Sequence, residues 1–181
     1  MIDKKVNWKW DDTMLKLVKM EKKYISQLNE MMDEWTNSNE KIIPWSIRKS
    51  DYHNIDEYIE NLELKEPNGK YVPDSTYFCL DTNRNIFVGA VNIRHYLNEK
   101  LMISGGHIGD GIRPSERNKG MGTKMISLAL EECNKLGIKK VLMCCNKDNV
   151  CSAKTIIKNG GVLENEIIDG GVLIQRYWIE L

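Results

Sequence analysis

The sequence predicts an α+β fold: a mixed, mostly antiparallel sheet flanked by helices, in the order β-α-α-β-β-β-α-β-α-β-β. Three observations carry this. Strand-like stretches meet at turns of hairpin chemistry, Asp81-Thr82-Asn83-Arg84-Asn85 and Asp169-Gly170-Gly171, which ask for antiparallel neighbours. Other stretches repeat apolar residues at i, i+3, i+4 and i+7, the period of a helix with one buried face. Residues 107–145 read as strand, loop, helix and strand, a right-handed βαβ unit whose two strands run parallel.

Residues 1–13 are polar apart from Trp8 and Trp10 and are expected to be an extension packed by its aromatics. Residues 14–20 form the first strand. The first helix spans 21–37, with Tyr24, Ile25, Leu28, Met31, Met32 and Trp35 on its apolar face. Pro44 makes 42–45 a loop. A second helix is expected over 51–64, capped by Asp51, with Ile55, Tyr58, Ile59 and Leu62 as its stripe. Pro67, Gly69 and Pro73 then mark an irregular connection. Strands follow at 76–80, 86–93 and 107–112. A helix carries Met125, Ile126, Ala129, Leu130, Cys133 and Leu136 inward until Gly137 ends it as a C′ glycine. The apolar run 141–145 is a strand, 152–159 a short helix, and 162–168 with 172–179 the closing hairpin. The whole reads as a single domain over 1–181.

Residues 105–122, Gly-Gly-His-Ile-Gly-Asp-Gly-Ile-Arg-Pro-Ser-Glu-Arg-Asn-Lys-Gly-Met-Gly, carry the chemistry. A strand stops at Pro114, which has no N–H for a ladder. A basic, glycine-punctuated loop leads into a helix. The first N–H groups of that helix have no intrahelical partner, and the dipole adds positive charge there. Arg113, Arg117, Lys119 and Lys124 surround the loop against the single acid Glu116. This arrangement asks for a phosphate-bearing ligand. The Walker string is absent, and Pro114 stands where the third glycine of a dinucleotide fingerprint belongs, which argues against a nucleotide-binding enzyme.

Arg117-x-x-Gly120-x-Gly122 follows a strand ending in Ile112-x-Pro114 and precedes an amphipathic helix. In this it resembles the R-x-x-G-x-G loop of the GNAT superfamily of N-acetyltransferases, and the element order resembles that topology over about residues 14–181. The resemblance implies that the parallel strands splay where the βαβ unit begins, with acetyl-CoA as co-substrate in the opening and no metal. It implies that the backbone of Arg117, Asn118, Lys119, Gly120, Met121, Gly122 and Thr123 wraps the pyrophosphate, and that the backbone of Ile112 bonds the pantetheine arm. Asn149-Val150-Cys151-Ser152 matches the family's N-x-x-[AS], which adds Asn149 and Ser152 to the coenzyme site; the same residues are also good helix caps. Lys154 and Lys158 either reach the 3′-phosphate or form a solvated face.

The chain departs from the pattern at Ile156, where many relatives have the tyrosine that protonates the thiolate, and at Gly161, where a phenylalanine is common. Water or Tyr177 are the alternatives for the acid. For the base, relatives often have a glutamate five residues before the Ile that ends the strand, and His107 stands there. A histidine suits the task near neutral pH, and strand alternation puts His107 on one face with Gly109 and Gly111. The competing reading is a structural histidine bonded to a neighbouring strand. Asp110 points to the opposite face. Cys144 and Cys145 lie in an apolar run that favours inert thiols.

Composition narrows the rest. Formal net charge is zero, which excludes a general nucleic-acid surface or a polybasic membrane patch. No apolar run reaches transmembrane length, and residues 1–5 lead into no secretory apolar segment. Five cysteines without C-x-x-C spacing suggest reduced thiols in the cytoplasm, and three scattered histidines give no metal motif. The expectation is an N-acetyltransferase acting by direct transfer on a primary amine of a small molecule or peptide, as a monomer or homodimer. The alternative is a non-catalytic acyl-CoA-binding or sensing module. The acceptor would be shaped by Trp35, Trp45, Tyr52, Tyr71, Tyr177 and Trp178, with Glu57, Glu60, Glu63 and Glu66 nearby.

Overall fold

Alternation and turn chemistry between residues 15 and 112 build an antiparallel meander. The protein is described here by a computed structural model covering residues 14–181; the expected extension with Trp8 and Trp10 lies outside the described residues. Strand β1 (Leu15–Val18) pairs with β2 (Asp74–Asp81), β2 with β3 (Ile86–Arg94), and β3 with β4 (Ile108–Ile112), all antiparallel. The β2–β3 turn is held by Asp81, fully buried, whose Oδ1 accepts from the backbone N–H groups of Asn83 and Arg84. A second sheet has the order β5-β7-β6, from β5 (Lys140–Asn146), β6 (Val162–Asp169) and β7 (Val172–Glu180). Gly170 and Gly171, at φ of 56° and 81°, make its hairpin turn, a left-handed pair that only glycine adopts cheaply.

Helix α1 (Ile25–Asn37) follows one 3-10 turn and buries Leu28, Met31, Met32 and Trp35, the stripe its periodicity requires. Helix α2 (Ile55–Asn61) is shorter than expected. Asp51 does not cap it: its Oδ1 accepts from the His53 N–H one turn earlier, and Asn54 takes the N-cap position. Helix α3 (Met121–Lys135) ends before Gly137 at φ 82°, and α4 (Val150–Lys158) completes the set. Between β3 and β4 the chain makes a π-type turn (Leu101–Gly105), which periodicity did not mark.

Two cores result, one on each face of the first sheet. Helices α1 and α2 cover Phe78, Phe87 and Ala90; α3 covers Val88, Val91 and Ile93 and packs on toward Val141, Met143 and Tyr177. Each large side chain removed from water contributes roughly 1.5–3 kcal/mol, so the two layers fix where β4 ends and α3 begins.

The βαβ unit joins β4 to β5 across an opening, as the expected splay requires. Every ladder among the described residues is antiparallel, and β4 and β5 belong to different sheets. They meet at one end: the His107 N–H donates to Leu142 O at 2.7 Å, and the Leu142 N–H donates to His107 Nδ1 at 2.9 Å. Gly106 admits this approach, since a Cβ there would lie 2.5 Å from Leu142 O. Beyond that contact the two strands separate.

Candidate active site

The loop between β4 and α3 is suspended from two ionic anchors. On one side buried Arg113 pairs with Glu34 and, at 3.0 Å, with Glu30, while Glu34 also accepts from the Ser115 N–H at 2.8 Å and its hydroxyl at 3.0 Å. Burial pulls the Glu34 carboxyl upward, but the bonds from Ser115 and Arg113 prevail and hold it below the usual carboxylate range. On the other side buried Glu116 accepts both terminal nitrogens of Arg84, at 2.9 and 2.8 Å, and Arg84 Nε donates to Asp81 Oδ2 at 2.7 Å. These Arg84 bonds, against the cost of burial, keep Glu116 ionised.

Between the anchors the backbone curls through Asn118 (φ 61°) and Gly120 (φ 79°) into α3. Gly120 caps the helix without a side-chain bond, and the first helical bond comes from the Lys124 N–H to Gly120 O at 3.3 Å. The N–H groups of Met121, Gly122 and Thr123 therefore precede the ladder and are open to an anion. A Cβ on Gly122 would meet only Ile112 and Thr155, at 3.7 and 3.8 Å, so the fold itself does not demand glycine there.

Between the end of β4, the start of α3 and the first turns of α4 lies a cleft of about 620 Å³. Ile112, Arg117, Asn118, Gly120, Met121, Gly122, Thr123, Asn149 and Ser152 all line it; Lys119 does not, and reaches Glu116 at 3.4 Å instead. Lys154 and Lys158 add positive charge to the wall. Asn149 is the N-cap of α4, its Oδ1 accepting from the Ser152 N–H at 3.1 Å, which leaves its amide Nδ2 as a donor toward the cleft. Arg117 has intramolecular partners that the motif did not foretell. Its Nε donates to Ile112 O at 3.1 Å, its Nη1 pairs with Glu40 at 2.6 Å, and its guanidinium lies over the Trp35 ring. The Ile112 carbonyl is thus already engaged.

His107 is off the cleft wall and 6% exposed, in the bridge between the sheets. Because Nδ1 accepts from the Leu142 N–H, the neutral ring carries its proton on Nε2 and has no free lone pair. Burial, reinforced by the Arg94 charge, lowers its pKa to about 4. The glycines on its strand face have no room for a side chain: a Cβ on Gly111 would lie 2.2 Å from Ile43 O, and one on Gly109 2.9 Å from the Arg94 guanidinium. With Nδ1 engaged, the His107 ring has no atom with which to take a proton from an amine. Asp110, which strand alternation puts on the other face from His107, lines the cleft. Its burial raises its pKa to about 6, against the pull of Arg94.

The other candidates fall outside the cleft. Ile156 is 1% exposed in the core, and Tyr177 is buried with its hydroxyl donating to Gln175 Oε1 at 2.8 Å. Burial pushes the Cys144 thiol up to about 11, which makes it inert. The aromatics expected around an acceptor do not converge: Trp45 stacks on Tyr71, Tyr52 donates to Asp33, and only Trp35 touches the cleft. Among the described residues no group of three or more His, Cys, Asp or Glu could hold a metal ion, and no helix is long and apolar enough to cross a membrane.

A family profile, the acetyltransferase (GNAT) domain, matches residues 15–162. Among solved structures the fold is similar to the microcin C7 self-immunity acetyltransferase MccE in complex with acetyl-CoA and AMP, at 20% identity and TM-score 0.65 over 94% of both chains. It is also similar to a GNAT-family acetyltransferase from Bacillus anthracis, at 18% identity and TM-score 0.60 over 92% of this chain and 94% of that one. A third likeness is to mutant forms of the spermidine/spermine N-acetyltransferase SpeG from Vibrio cholerae, at 16% identity and TM-score 0.59 over 92% and 94%. No curated protein matches.

Proposed function

The chain belongs to the GNAT acetyltransferase family, and from that premise we propose that it moves an acetyl group from acetyl-CoA to a primary amine of a small molecule or peptide by direct attack. The observation that carries this reading is the cleft between the end of β4 and the starts of α3 and α4, with a free helix N-terminus, a glycine the fold does not require, and lysines on its wall. Such a wall fits a long polyanionic thioester: its volume lies within the range of ligand pockets, and its donors suit phosphate. The N–H groups of residues 121–123 would hold the pyrophosphate, Asn149 Nδ2 and the β4 edge at Ile112 the pantetheine arm, and Lys154 and Lys158 the outer phosphate. Bound there, coenzyme A supplies an activated acyl thioester. The chain's own part is to bind and orient it and to manage the proton the amine gives up.

Free cysteines at all five positions suit a reducing cytoplasm, and the enzyme is read as a monomer or homodimer. The test is thiol release from acetyl-CoA with a panel of amines, headed by spermidine because a spermidine/spermine N-acetyltransferase shares the fold. Release that rises with one acceptor is the expected result. Tight acetyl-CoA binding with no release to any amine or to water would favour the binding-module reading instead.

A further inference from the structure

We propose that Asp110 is a catalytic residue that carries the reaction's proton both ways, accepting it from the attacking amine and returning it to the departing sulfur. The proposal rests on the acetyl-CoA reading above. Three carboxylates line the cleft. Glu40 is paired with Arg117 and Glu116 with Arg84 and Lys119, whereas the Asp110 carboxylate makes no hydrogen bond or ion pair among the described residues. It stands two residues before Ile112 on β4 and lines the cleft in which, on that reading, the thioester lies. No tyrosine or histidine shares that wall. The usual tyrosine position holds core-buried Ile156, and the Tyr177 hydroxyl is engaged with Gln175. Of the carboxylates and rings that could carry the reaction's proton near neutral pH, Asp110 alone lines the cleft without a partner among the described residues.

The chemistry balances on that one group. The amine lone pair forms the new C–N bond to the acetyl carbon, and the nitrogen, now acidic, passes its proton to the Asp110 carboxylate. The C–S bond breaks with its electron pair on sulfur, and the Asp110 carboxylic acid protonates that thiolate. The products are an amide and a free thiol, with Asp110 restored. The titratable and charged groups facing Asp110 are Arg94 from β3 and the Cys145 thiol from β5. With a pKa near 6, Asp110 is ionised when the amine arrives, and once protonated it is a stronger acid than an ordinary thiol at about 8.5.

The experiment compares wild type with Asp110→Asn and Asp110→Ser. Thiol release from acetyl-CoA is measured from pH 5 to 9, with spermidine and with water as acceptors, alongside melting temperature with and without acetyl-CoA. Turnover should fall by about a hundredfold or more in both variants, and the acidic limb near pH 6 should vanish. The stabilisation by acetyl-CoA should be unchanged. A second readout needs no activity. A carboxyl whose folded pKa is raised contributes stability below the unfolded pKa and loses it as pH rises through about 6. Ligand-free Asp110→Asn should therefore melt higher than wild type at pH 8 and not at pH 4; a carboxylate held ionised by partners in the fold would give the reverse at pH 8. Full turnover in both variants overturns the proposal, whatever the melting data show. Wild type that acetyl-CoA fails to stabilise overturns the acetyl-CoA reading itself, and the proposal with it.

Discussion

At the scale of single residues, Gly122 and His107 separate folding from function in opposite directions. Gly122 is helical, and an added methyl would sit at ordinary contact distance from Ile112 and Thr155. Gly122→Ala should leave stability unchanged or raise it by up to about 1 kcal/mol, as for other helical glycines. It should still weaken acetyl-CoA binding by crowding the N–H groups at the helix start, which the thermal shift would register. His107 is the converse. His107→Ala leaves the buried Leu142 N–H without its acceptor, at a cost of about 1–3 kcal/mol, while the acidic limb of the rate profile should persist. Wild-type stability should also fall with acid: the depressed His107 pKa contributes stability above about 6.5 that is lost as pH drops toward 4. Denaturant melts of wild type and variant between pH 4 and 7 would show that slope and its absence.

At the scale of elements, the phosphate loop owes its shape to residues outside its motif. Glu116 grips Arg84 from the β2–β3 turn, and Arg113 and Ser115 grip Glu34 from α1. Glu116→Gln keeps the shape and removes the charge facing Arg84. It should cost about 1–3 kcal/mol of stability, less whatever solvent screens on the half-exposed arginine, and raise KM for acetyl-CoA more than it lowers kcat. The loop itself was legible in the sequence because glycine, proline and helix-start signals are local. The element order was legible because period and turn chemistry are local too. What could not be read were the tertiary decisions. Asp51 lost the cap of α2 to Asn54, and His107 spent its Nδ1 on the Leu142 N–H of the neighbouring strand. What packs against β4 was also hidden, because Ile43 and Trp35, which press on Gly111, lie some seventy residues away in sequence.

At the scale of the whole molecule, two cores hold the first sheet between helices, and the second sheet joins the α3 core through Val141, Met143 and Tyr177 without forming a ladder to the first. The cleft wall combines oriented backbone donors with exposed Lys154 and Lys158, and affinity for a polyanion should fall as salt rises. The central claim is that this cleft is built for acetyl-CoA. The most direct test is the melting temperature of the wild-type protein against increasing acetyl-CoA, NAD and ATP at equal ionic strength. The account predicts a rise proportional to log concentration for acetyl-CoA once above Kd, and far smaller shifts for the other two. Equal stabilisation by NAD, or none by acetyl-CoA, would contradict it.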